Sequence, residues 1–74
     1  MLRAEREAAH VRVEDVARMM DVSHVRVIGI ERTPAVRPPT AERYRRAVAA
    51  VRVATAAARQ ALLEHLNNEA LSRR

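Results

Sequence analysis

The side chains of this sequence best equipped for chemistry are its arginines, and the chemistry they offer is anion binding. All fourteen basic residues are Arg, against nine acids, and they are unevenly placed. Residues 1–34 and 60–74 are each electrically neutral, whereas residues 35–59 carry six Arg (37, 43, 45, 46, 52 and 59) against Glu42 alone, a net charge of +5. A concentrated basic segment is the electrostatic footprint of a polyanion binder, although a solvated arginine-rich helix face gives the same count. Catalytic chemistry is poorly provided for. There is no carboxylate pair, no Ser/His/Asp set and no glycine loop for a phosphate, because the single glycine, Gly29, sits within a helical pattern. His10, His24 and His65 have no ligand-like spacing, and with no cysteine there is neither a thiolate metal site nor a disulfide. The expectation is therefore a non-enzymatic chain without metal or cofactor and without a small-molecule substrate.

The elements that would position these arginines follow from apolar spacing. Residues 2–9 have a helical pattern, and His10 stands where that helix would close in a left-handed conformation. Residues 13–20 form a second pattern, with Val16, Ala17 and Met20 on one stripe and Glu14 and Asp15 in a first turn that favours acids. Asp21, which tolerates positive φ, breaks it, and Ser23 caps a third pattern that runs to Arg32 with Val27 and Ile30 buried. Two short helices joined by a tight turn over residues 13–32 have the spacing of a DNA-reading helix-turn-helix. Three prolines within residues 34–39 predict a loop, and Thr40 a cap for a final helix over residues 41–74 that frays near Asn67 and Asn68 or slightly beyond.

In that final helix Tyr44, Ala47, Val48 and Val51 continue the core. The steps 44, 48, 51, 55, 58 and 62 then alternate four and three as in a helix-packing seam. Thr55, Ala58, Leu62, His65 and Leu66 are accordingly the expected dimer interface, with residues 1–53 as the domain proper and 54–74 as its dimerisation extension. A chain of 74 residues with one aromatic residue builds a small aliphatic core, which favours oligomerisation. No apolar run approaches the roughly 18 residues of a membrane span, and the start of the sequence lacks a signal-peptide pattern. A cytoplasmic location is expected. The abundance of Arg, Ala and Val also fits a GC-rich genome.

Residues 2–51 resemble the Cro and phage-repressor type of helix-turn-helix domain, also called the xenobiotic-response-element family. The matching elements are LRAER, VEDVARMMDVS through the turn, VIGIER, Arg37-Pro38 in the loop, and the helix from Thr40. The resemblance implies an all-α, five-helix fold with a long C-terminal helix. It also implies a salt bridge between Arg6 and Glu31, base reading by His24, Val25, Arg26 and Gly29, and phosphate contacts by Ser23 and Arg37. Arg43, Arg45 and Arg46 are further candidates for phosphate. The sequence departs from the family at Val13, where Gln is common, and at Asp21 and Thr33, which replace glycines. Val25 can touch a thymine methyl but makes no bidentate hydrogen bond, so direct readout falls to His24 and Arg26.

Two functions follow. One is a homodimeric, sequence-specific regulator that binds double-stranded DNA, a phage or mobile-element repressor occluding a promoter, with recognition helices about 34 Å apart. The other is a protein-interaction module whose apolar recognition helix, with Val25, Ile28 and Gly29, meets a partner protein.

Overall fold

Val16, Ala17 and Met20 bring three apolar side chains to one face of a short helix, and the rest of the domain assembles around them. The structure, a computed structural model, describes residues 1–72. Four helices are present among them: α1 (Leu2–Ala8), α2 (Val13–Met20), α3 (His24–Arg32) and α4 (Pro38–Ser72). Both α3 and α4 pack on α2, and α1 packs on α4. The core is the α2 stripe together with Leu2, Val11, Val27 and Ile30, closed by Tyr44, Ala47, Val48 and Val51 from α4. Val16, Val27 and Tyr44 are completely buried.

Both short turns close in the same way. His10 and Asp21 each adopt a left-handed conformation with φ of 57°. The next residue then reaches back five positions, Val11 N–H donating to the Arg6 carbonyl at 3.2 Å and Val22 N–H to the Ala17 carbonyl at 3.0 Å. This pattern ends a helix and turns the following apolar side chain inward. Val11 is indeed buried, and Val22 packs against the core. Ser23 then starts α3 by accepting the Arg26 backbone N–H at 3.2 Å.

The expected count of five helices is corrected to four among the described residues, with α4 continuous over 35 residues. No glycine or proline lies within residues 41–72 to divide it. Helix α4 runs through Asn67 and Asn68 and continues to Ser72, slightly beyond them. Asn costs a helix only about 0.7 kcal/mol relative to Ala, too little to break one flanked by good formers. The loop also ends earlier than expected. Pro38 and Pro39 occupy the first turn of α4, where a proline removes an N–H that has no intrahelical partner. The last two positions of the expected helix, Arg73 and Arg74, lie outside the described residues. No helix among those described is long and apolar enough to cross a membrane.

One polar cluster joins three helices at the edge of this core. Arg6 of α1 donates to both oxygens of Glu31 on α3, from Nε at 2.7 Å and from Nη2 at 3.2 Å. The Tyr44 hydroxyl of α4 donates to the same carboxylate. Arg6 also donates through Nη1 to the Val11 carbonyl at 3.0 Å, tying the cluster to the α1–α2 turn. The Arg6 and Glu31 side chains are only 12% and 5% exposed. Desolvation raises the Glu31 carboxyl pKa, but the hydrogen bonds from Arg6 and Tyr44 outweigh it and hold the group below its ordinary range. The bond to Glu31 correspondingly raises Arg6, and burial followed by the same carboxylate raises the Tyr44 phenol.

Glu31→Gln leaves the largely buried Arg6 side chain without a counter-charge and should cost about 3 kcal/mol, read from urea unfolding at neutral pH. The depressed carboxyl also sets an acid dependence. Its stabilisation is complete above the unfolded glutamate pKa of about 4.3 and is lost as pH falls through the lower folded value. The wild type should weaken more steeply along that limb than the Gln variant, in which Glu5 is left as the carboxyl held low by a partner. Equal acid slopes in the two proteins would remove Glu31 as the cause.

Candidate nucleic-acid interface

Helix α3 is anchored by Val27 and Ile30, which sends Val25, Arg26 and Gly29 to the opposite, solvent side. Val25 is 73% exposed. These three residues line one open groove of about 550 Å³ with Thr33, Arg37 and Thr40. The groove therefore runs from the outer face of α3 across the loop to the first turn of α4. Neither Arg26 nor Arg37 pairs with a carboxylate among the described residues, so both side chains are available along it. Arg26 follows from its place on α3. Arg37 follows from Pro38, because a proline at the first helical position puts the preceding residue at the cap and holds it extended.

Ser23 and His24 lie apart from this groove. They border a shallower cleft at the α2–α3 turn with Glu14, Arg18 and Asp21. Arg18, absent from the sequence-based set, is the exposed cation of that cleft. Its signal was its place on the solvent face of α2, opposite Ala17. Ile28 is half-buried, so the apolar part of the exposed face reduces to Val25 beside Gly29.

The other arginines do not converge on α3. Arg45 makes a two-bond contact with Glu5 of α1, at 2.9 and 3.2 Å, and this bond lowers the Glu5 carboxyl pKa. Arg46 pairs with Glu42 one turn earlier in α4 at 2.6 Å. Both line a cleft on the other side of the loop, with Leu2, Glu31 and Pro34. Arg43 borders the C-terminal end of α2 beside Met19 and Met20. The structure thus groups Arg26 with Arg37, and places Arg43, Arg45 and Arg46 on further faces of α4. Surface pairs of this kind contribute about 0–1 kcal/mol, little enough for a phosphate to compete for the arginine.

No protein-family model, curated protein or solved structure matches the chain. The chemistry of the interface therefore rests on the residues themselves. A groove lined by two arginines, an apolar Val25 and a bare backbone at Gly29 can accept a flat, polar edge carrying negative charge. Thr33 contributes little to it, because its hydroxyl donates to the Gly29 carbonyl at 2.8 Å.

The expected dimer residues have a different setting. Thr55, Ala58, Leu62, His65 and Leu66 are all exposed on the part of α4 that extends past the domain. His65 Nε2 lies 3.2 Å from Glu69.

Gly29 is not required by the fold. A Cβ at this position meets no atom within 4 Å, and the backbone is not left-handed. Gly29→Ala should therefore stabilise the chain by about 1 kcal/mol. In a domain of this size that raises Tm by about 4–8 °C, measured by circular dichroism. An unchanged or lower Tm would show that the glycine serves the folded state itself.

Proposed function

We propose that the chain is a small DNA-binding regulator that acts as a homodimer in the cytoplasm, with α3 lying in the major groove. The observation that carries this reading is the open groove joining Val25, Arg26 and Gly29 of α3 to Arg37 at the head of α4. In this reading Arg26 addresses a base edge, where a guanidinium pairs with the two acceptors of guanine. Val25 meets a thymine methyl, and Gly29 lets the helix backbone approach closely. Arg37 and Arg43 neutralise phosphates, and Ser23 and His24 border the end of α3 where the strand would pass. Arg18 adds a cation at that end. Arg45 and Arg46 contribute to the field, and reach phosphate only by exchanging Glu5 or Glu42 for it. With one strong base reader, sequence preference leans on DNA shape and on the pairing of half-sites. Regulation would be steric, a bound dimer occluding a promoter.

A second reading is favoured by the 73% exposure of Val25, an apolar side chain that would also suit a protein groove. Titration of the full chain with mixed genomic DNA fragments at several salt concentrations separates the two. DNA binding predicts affinity that falls linearly with log salt, with a slope of about −0.9 per phosphate neutralised. Arg37→Ala should weaken binding to all sequences alike and make that slope about one unit shallower. Arg26→Ala should relax preference at one base position by about 1–3 kcal/mol. Absence of binding at low salt would overturn the DNA reading and leave the protein partner.

A further inference from the structure

The face of α4 that buries Tyr44, Val48 and Val51 does not end with the domain. Val51 is the last buried residue, and residues 52–72 are exposed on a helix that continues for about 30 Å. At helical spacing the same face continues through Thr55, Ala58, Leu62 and Leu66 to Glu69. Leu62 and Leu66 are 57% and 51% exposed. The charges of this segment are ordered along it. Between residues 52 and 72 the full charges are Arg52 and Arg59 toward the domain, followed by Glu64 and Glu69, with Arg73 and Arg74 beyond them in the sequence. Neither Arg52 nor Arg59 has an ion-pair partner among the described residues.

We infer that this segment pairs with the same segment of a second copy, and that the two helices run antiparallel about Leu62. This deepens the homodimer part of the proposed function and rests on that reading only for the fact of pairing. The charges nearest Leu62 choose the direction. A parallel pair would set Arg59 beside Arg59 and Glu64 beside Glu64. An antiparallel pair instead brings Arg59 beside the second copy's Glu64, a contact that electrostatic complementarity favours. Side-chain size chooses the register. With Leu62 on the two-fold axis, Ala58 faces the second copy's Leu66, so a small residue meets a large one on either side of the central leucines. Thr55 then faces the second copy's Glu69, which lies one turn from both Arg52 and Arg59. Two strips of this length bury on the order of 1,200 Å² together, the lower end of the range for stable interfaces. The two Tyr44 residues would be separated by about 54 Å along the helix axes, wider than one turn of DNA.

The absence of cysteine from the chain makes disulfide mapping direct. Single Cys variants of the full chain, at exposed positions outside the core, are oxidised without DNA and resolved by mass. Leu62→Cys should link into a covalent dimer, Thr55→Cys alone should not, and the Thr55→Cys/Glu69→Cys double variant should. Sedimentation of the wild type should show a dimer, and Leu62→Arg should weaken it by about a hundredfold while leaving the helical signal unchanged. Self-linking of Thr55→Cys would overturn the antiparallel arrangement. A wild type that sediments as a monomer, or a Leu62→Cys that stays unlinked, would overturn the pairing. Because no DNA enters these measurements, the same linking pattern in a chain that fails the salt titration would sink only the DNA reading.

Discussion

The carboxylate of Glu31 is the constraint on which the arrangement of this domain depends. It receives Arg6 from α1 and Tyr44 from α4 while standing on α3, so three helices are registered against a single pair of oxygens. The apolar core, rich in Val and Ala, specifies contact but specifies angle only loosely, because small aliphatic side chains slide over one another at little cost. A directional, charge-assisted cluster has no such tolerance. Its contribution to net stability is modest after desolvation, and its effect is on geometry. It fixes the last turn of α3 relative to the first turns of α4, which are the two elements that frame the groove of Arg26 and Arg37.

That geometry divides the arginines by role. Arg6 is consumed internally. Arg45 and Arg46 of α4 are held by Glu5 of α1 and by Glu42, whereas Arg26, Arg37, Arg52 and Arg59 have no such partner among the described residues. The positive charge of residues 35–59 is thus a sequence fact that splits in space. Its first part lies at the α3 groove, its middle part is partly neutralised by Glu5 and Glu42, and its last part lies on the projecting helix. A net charge counted along the chain does not locate a binding surface. The neighbours brought by folding do.

Much of the domain was legible because it is local. Val16, Ala17, Met20, Val27 and Ile30 announce two buried stripes by spacing alone, and His10 and Asp21 mark the turns between helices. The first turn of α4 was misread because proline's incompatibility with helices applies to their interior, and Pro38 and Pro39 stand where no donor is needed. The count of helices was taken from a resemblance, while the uninterrupted sequence from residue 41 onward already argued for one. Two features lay beyond local reading. The Arg45–Glu5 pair spans 40 positions, and no periodicity signals such a partner. The third member of the Arg6–Glu31 cluster was visible in principle, since a lone tyrosine in an aliphatic core needs an acceptor for its hydroxyl.

The projecting half of α4 also governs how the molecule moves through solvent. A single chain measures 58 × 20 × 16 Å, with a radius of gyration of 16.3 Å, against about 11 Å for a compact domain of the same length. Such an elongated body meets more friction than a sphere of equal mass, so one chain migrates through a gel matrix like a rounder protein of somewhat greater mass. An antiparallel pair would lengthen the rod and cover its apolar strip together. For this molecule shape and stoichiometry are separate quantities, because the projecting helix enlarges the apparent size of a single copy.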